Sequence, residues 1–153
     1  MKQSLEGEFE MTDLGKLLFF LRMEFLDTKV GIVMHQRKYI LELLEIFHME
    51  TCNTTNTLVE SNLKIDYCEH EANVNGTQYM QLVGCLRFVC NSIPEISYGV
   101  GLISQFMSDP RQSQMTAAKR VLRYLKKTLD FGLLFPILEA HNDLHLVAYS
   151  DSD

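Results

Sequence analysis

The 153-residue sequence lacks the segments that would place it in a membrane or outside the cell. No apolar run approaches the roughly 20 residues that a helix needs to cross a bilayer. The first ten residues, MKQSLEGEFE, are polar and acidic, which is not typical of a secretory signal peptide. These absences predict a cytoplasmic or nuclear protein that is not secreted and has no membrane partner.

Cysteine is also scarce, and its spacing excludes the common site chemistries. The four cysteines do not combine with histidine into the paired clusters that are typical of zinc sites. A glycine-rich phosphate loop is missing, and no Cys–His or Ser–His–Asp arrangement can be assembled. In a reducing compartment we therefore expect small buried thiols rather than disulfides, a metal or a nucleophile.

Positive charge is in deficit overall, because the formal net charge is −6. That value argues against a generally nucleic-acid-binding surface. Between residues 111 and 127, however, the chain has basic residues and no acid. This basic stripe consists of Arg111, Lys119, Arg120, Arg123, Lys126 and Lys127. Two interpretations remain open: contact with nucleic-acid phosphates, or a solvated helix end that complements the helix dipole.

The C-terminal half predicts three consecutive helices. The first follows Thr77 as N-cap, the second begins at Pro94 and ends before Asp109-Pro110, and the third is capped by Ser113. Residues at intervals of three and four give each helix one apolar face. On the first helix, Gly84 is expected to let a neighbour approach closely. Short strands are predicted over residues 131–135 and 144–149.

The N-terminal half predicts a β-hairpin and one more helix. Residues 17–26 are apolar and aromatic, which indicates a strand, and residues 32–34 would return antiparallel to it. Gly31 is expected to supply a positive φ in the turn between them. A helix over 36–48 follows. The polar stretch 51–76 predicts either a connector over the surface or a flexible joint between two lobes.

Four segments resemble Ty1/copia-type retrotransposon polyproteins, in the same order. They are FEMTDLGKLLFFLRMEFLDTKVGIVMHQRKYILELL (9–44), YMQLVGCLRF from residue 79, AAKRVLRYLKKTLDFGLLF (117–135) and LVAYSDSD (146–153). The resemblance implies an α+β fold. It implies the end of a polymerase palm with a primer-holding hairpin at 1–35 and a helical thumb and connection region at 36–135. A truncated RNase H-like start, carrying its first strand, follows at 141–153.

The resemblance also implies which residues would form sites. Asp151 matches the first metal-binding carboxylate of the RNase H-like active site, where two Mg²⁺ ions need several carboxylates. By family role, Arg22 and the basic stripe would contact a primer–template duplex of RNA and DNA. Arg22 stands where the family usually has glycine. In the parent enzyme Mg²⁺ is the cofactor, and none is expected for this chain alone.

The polymerase motif Tyr-x-Asp-Asp is absent from the sequence. We therefore expect a reverse transcriptase fragment without polymerase activity of its own, which contacts primer–template and possibly the rest of the polymerase. Two alternatives remain open. One is that the helical part is a non-catalytic protein-interaction module, and the other is that the chain is a non-functional transposon remnant.

Overall fold

The computed structural model describes residues 15–58 and 71–137, and its architecture is α+β, as predicted. The predicted strand over 144–149 and Asp151 lie outside the described residues. The elements run in the order β1 (Phe19–Phe20), β2 (Met23–Thr28), β3 (Gly31–His35), α1 (Arg37–Ile46), α2 (Gly76–Val89), a 3-10 turn (Pro94–Ile96), α3 (Ser97–Ser104), α4 (Gln112–Lys127) and β4 (Leu133–Pro136).

The four strands form one antiparallel sheet in the order β1-β2-β3-β4. The single strand predicted over 17–26 is wrong, because the chain turns back within it. Phe20 pairs with Met23, and the two residues between them, Leu21 and Arg22, have φ of 48° and 63°. Positive φ at both central positions is the geometry of a tight hairpin turn. An apolar run indicates a strand but does not reveal such a turn when glycine and asparagine are missing from it.

The hairpin of β2 and β3 was predicted correctly, and a later strand extends it. Thr28 Oγ1 accepts hydrogen bonds from the backbone N–H groups of Val30 (3.3 Å) and Gly31 (3.1 Å), which tightens the turn. Gly31 has the expected positive φ, at 152°. It also faces β4, and a Cβ atom at Gly31 would clash with the carbonyl oxygen of Phe135.

The helices pack around one apolar core, on the faces that their periodicity predicts. On α2 the whole predicted face is at 0% exposure: Tyr79, Leu82, Val83, Leu86 and Val89. The hydroxyl of Tyr79 donates to the carbonyl oxygen of Ile103, 2.6 Å away, and so ties α2 to α3. Burial raises the pKa of Tyr79 to about 12, so this hydroxyl remains a donor at neutral pH.

Several helix ends differ from the sequence expectation. Asn75, not Thr77, caps α2, because its Oδ1 accepts from the N–H of Gln78 (3.1 Å). Arg111, not Ser113, is the N-cap of α4, and the Ser113 N–H donates to the carboxylate of Glu71 instead. Helix α3 ends at Ser104, before the predicted stop at residues 109–110.

The expectation that Gly84 makes room for a neighbour is also wrong. A Cβ atom built there meets nothing within 4 Å, because this position of α2 faces solvent. A glycine in a helical sequence does not by itself show which side of that helix another element covers.

The sheet and the helical core are joined by a long-range polar contact. Gln36, which precedes α1, is fully buried, and its Oε1 accepts from the hydroxyl of Ser92 (2.7 Å) just after α2. Arg37 also donates to Asp130 beyond α4. Strand β4 comes from the predicted 36–135 region, so the sheet takes strands from both sides of the predicted boundary at residue 35.

Candidate nucleic-acid interface

Most of the basic stripe contacts the chain that follows α1. Residues 50–57, here called the connector loop, run antiparallel to α4. Lys126 Nζ donates to the carbonyl oxygens of Glu50 (2.6 Å) and Cys52 (2.7 Å), and Arg123 Nε donates to that of Asn53 (2.7 Å). The connector loop therefore lies over the basic face of α4 as an outer layer.

Two further cations complete this contact. Arg120 binds Thr57 through both its carbonyl oxygen (3.2 Å) and its hydroxyl (2.7 Å). Lys127 Nζ donates to the side-chain oxygen of Asn56. Residues 51–58 contain no charged side chain, so these cations are bound by neutral oxygens. Among the described residues, Arg123, Lys126 and Lys127 form no ion pair.

This arrangement was not predicted from the sequence. The charge pattern left phosphate contact and a solvated helix face open, whereas in the structure the cations donate hydrogen bonds to a loop. The Asn- and Thr-rich composition of residues 53–57 was the available signal, since it supplies acceptors without acids. Lys119 differs from the others: it is exposed, and the structure records no hydrogen bond from it to the connector loop.

Arg111 belongs to a separate cluster at the start of α4. Its guanidinium contacts Asp109 (2.7 Å) and Asn73, and the carboxylate of Glu71 accepts from the N–H of Ser113 (2.8 Å). The hydrogen bond from the Ser113 N–H, aided by the charge of Arg111, holds the pKa of Glu71 below its ordinary value. A carboxylate at this end also complements the helix dipole. Arg111 therefore fastens the N-terminus of α4 to residues 71–73.

Arg22 lies at the tip of the first hairpin, far along the chain from the basic stripe. Its guanidinium donates to Glu42 Oε2 (2.8 Å) and lies 5.1 Å from the centre of the Tyr39 ring. Burial, followed by a hydrogen bond with Cys85, raises the pKa of Tyr39, which stays neutral in the physiological range. The backbone of Arg22 is in the left-handed region, with φ of 63°, which favours glycine over residues with a side chain.

The hairpin tip presents apolar side chains as well as charge. Phe19 and Phe20 are each more than half exposed, and the Lys38 ammonium lies 5.6 Å from the Phe19 ring centre. Glu24 accepts from the N–H of Lys38 (2.9 Å), which holds the hairpin against the start of α1. The tip therefore combines cations with exposed aromatic rings.

One face of the sheet is an apolar groove that the sequence analysis did not identify. The groove has a volume of about 510 Å³ and is lined by Lys16, Leu17, Phe25, Asp27, Ile32 and Phe135. Lys16 and Asp27 form an ion pair at 2.5 Å across its edge. Alternating apolar residues in neighbouring strands were a usable signal, but the pairing of β3 with β4 was not visible in the sequence.

The predicted metal site cannot be placed, because Asp151 lies outside the described residues. Within residues 15–58 and 71–137, no three His, Cys, Asp or Glu side chains lie close enough together to hold a metal ion. The Mg²⁺ of the parent enzyme thus stays an expectation from the resemblance. In the described part of the chain no helix is both long and apolar enough to cross a bilayer.

Comparison with known proteins gives relatives over nearly the whole chain. The sequence is 35% identical over 150 residues to the retrovirus-related Pol polyprotein from transposon RE1 of Arabidopsis thaliana, which is 98% of this chain and 10% of that protein. It is 31% identical to the corresponding polyprotein from transposon TNT 1-94 of Nicotiana tabacum, covering 99% and 12%. A putative transposon Ty5-1 protein of Saccharomyces cerevisiae is 30% identical, covering 99% and 49%.

No family model and no solved structure matches the chain. The chain spans about a tenth of the length of the Pol polyproteins that it matches. The resemblance in the sequence and these relatives agree, and the α+β fold is the one that the resemblance implies. The chain is therefore a homologue, over nearly its whole length, of one segment of the Pol polyproteins of Ty1/copia-type retrotransposons.

Proposed function

We propose that this chain corresponds to the reverse transcriptase part of such a polyprotein, after the polymerase active site, and that it positions a primer–template duplex. The observation that carries the proposal is the turn at Leu21 and Arg22. The family usually has glycine at the position of Arg22, and this structure places that position in the left-handed region, which glycine prefers. The agreement supports assigning β1 and β2 to the primer-holding hairpin.

The proposed role is binding rather than catalysis. The Tyr-x-Asp-Asp motif is absent, so the chain does not supply the carboxylates through which Mg²⁺ activates a primer hydroxyl in the parent enzyme. Arg22 and the exposed aromatic rings at the hairpin tip would contact the primer. The cations of α4 would contact phosphates, which gives affinity without sequence preference.

Fluorescence anisotropy with a labelled RNA–DNA duplex tests this role. We expect binding that weakens steeply as salt rises, because phosphate contacts release counterions. Arg22→Gln should weaken binding. Lys29→Gln is the matched control, because Lys29 is an exposed cation at the other end of β2 and should leave the affinity nearly unchanged.

Two results would contradict the proposal. One is the absence of duplex binding at low salt. The other is an equal loss of affinity in Arg22→Gln and Lys29→Gln, which would show that the loss comes from the change in net charge and not from a contact of Arg22. Primer extension with Mg²⁺ by the purified chain would contradict the non-catalytic role separately.

A second candidate function is supported by the apolar groove of the sheet. Large exposed apolar patches mark surfaces that bind partners. As a protein-interaction module the chain would associate through this face, with little dependence on salt. Ile32→Thr should reduce self-association in sedimentation velocity, because Ile32 lines the groove. Tyr98→Thr is the control, since Tyr98 is 74% exposed on α3, away from the sheet.

A further inference from the structure

The contact between α4 and the connector loop is unusual in its charge. Several cations lie along one helix face, and the loop oxygens that accept hydrogen bonds from them are all neutral. A neutral carbonyl is a weaker partner for a cation than a phosphate, because a bond between two charged groups is shorter and stronger. These bonds leave Arg123, Lys126 and Lys127 without an ion pair among the described residues, so their positive charge is bound but not neutralised there.

The connector loop is anchored to the core near its ends, and between them it is held to α4 mainly by hydrogen bonds from cationic side chains. Cys52 and Leu58 pack against the core. Between them, the one backbone hydrogen bond to α4 in the described residues is the N–H of Thr55 to the carbonyl oxygen of Arg123, at a long 3.4 Å. Residues 53–57 are exposed apart from the half-buried Thr55, so they can separate from α4 without exposing the core. Segments with few buried contacts open at low cost in free energy.

We propose that the connector loop is a displaceable cover over a phosphate-binding face of α4. In the covered state, Arg120, Arg123, Lys126 and Lys127 donate to the loop. When a duplex binds, these cations exchange the neutral oxygens of the loop for phosphate oxygens of the duplex backbone. Residues 53–57 then move away from α4. The proposal rests on the proposed function and adds a means of regulating it. The apparent affinity for duplex is lowered by the fraction of molecules that are covered.

The side chains of the connector loop allow a sharp test. Asn56→Ala together with Thr57→Ala removes two side-chain acceptors, of Lys127 and Arg120. Losing hydrogen bonds of the covered state should favour the open state and tighten duplex binding about fivefold. Asn53→Ala with Thr54→Ala is the matched control. Asn53 contributes its backbone oxygen, and Thr54 is exposed without a recorded bond to α4.

The experiment uses the full chain and a blunt RNA–DNA duplex, with anisotropy for affinity and hydrogen exchange for the connector loop. We expect exchange over residues 53–57 to increase when the duplex saturates the protein. Binding with unchanged or slower exchange there would overturn the cover but leave the proposed function standing. Absence of binding by both the wild type and the Asn56→Ala/Thr57→Ala variant would overturn both. Equal affinity of the two double variants would also overturn the cover.

Discussion

Gly84 and Gly31 differ in what a side chain would meet. At the solvent-facing Gly84 of α2 an added methyl group meets nothing within 4 Å, and Gly84→Ala should raise the free energy of unfolding by about 0.5–1 kcal/mol, because alanine restricts the unfolded chain more. Gly31→Ala should lower it by about 1–3 kcal/mol, because the methyl group clashes with β4. Urea denaturation measures both. The same sign for both variants, or a loss for Gly84→Ala with a gain for Gly31→Ala, would contradict the packing described here.

Glu71 couples the stability of the protein to pH. Its pKa is lowered from the ordinary value of 4.5, first by the hydrogen bond from the backbone N–H of Ser113. A carboxyl group with a depressed pKa in the folded state stabilises it fully above about pH 4.5, and that stabilisation is lost as pH falls through the folded pKa.

We expect Glu71→Gln to lower the melting temperature at pH 7 and to leave it nearly unchanged well below pH 4. The difference between variant and wild type should therefore shrink with acidification. Thermal denaturation followed by circular dichroism from pH 3 to 7 measures it. A difference that stays constant with pH would assign the effect to packing instead of to the carboxylate.

At the scale of single elements, the N-cap of α2 is Thr77 by the sequence expectation and Asn75 in the structure. Asn75→Ala should cost about 1 kcal/mol in the free energy of unfolding, because the N–H of Gln78 loses its acceptor. Thr77→Ala should change it by less than about 0.5 kcal/mol, because Thr77 is an exposed residue inside the helix. Chemical denaturation of the two variants decides between the caps, and a larger loss for Thr77→Ala would support the original prediction.

Most of the helices and strands could be predicted from the sequence. The apolar positions of α1 and α2 recur every three to four residues, and the structure buries them as that period requires. The ends of the helices were predicted less accurately. Asn75 and Thr77 are both common capping residues, and which of them caps depends on the path of the chain that enters the helix. The hairpin turn at Leu21 and Arg22 was missed because neither residue favours positive φ.

Across the whole molecule, the bond between Gln36 and Ser92 joins segments that are 56 residues apart. Ser92→Ala should cost about 1–3 kcal/mol, because the buried amide of Gln36 loses the partner of its oxygen while its nitrogen already has none among the described residues. In a Gln36→Leu background, Ser92→Ala should cost much less. A double-mutant cycle by urea denaturation measures this coupling, and additive effects would show that the bond contributes little.

The basic stripe shows that the candidate site also depends on contacts between distant segments of the chain. Its position on one helix face follows from the spacing of the cations, which the sequence shows. The segment that the stripe contacts does not follow from that spacing, because the connector loop is 63 to 76 residues away along the chain. The nucleic-acid role of Arg22 and of the stripe stays a prediction that the duplex experiments decide.

The sequence by itself determined the α+β class, the helices and their buried faces, and the relationship to retrotransposon Pol polyproteins. These properties depend on local periodicity and on residue identity, which a chain carries at every position. Only the tertiary structure decided that β4 closes the N-terminal sheet, that Gly31 has to be glycine for that reason, and that the connector loop contacts the cations of α4. Those features arise from contacts between distant segments, and local sequence patterns do not encode which surfaces meet.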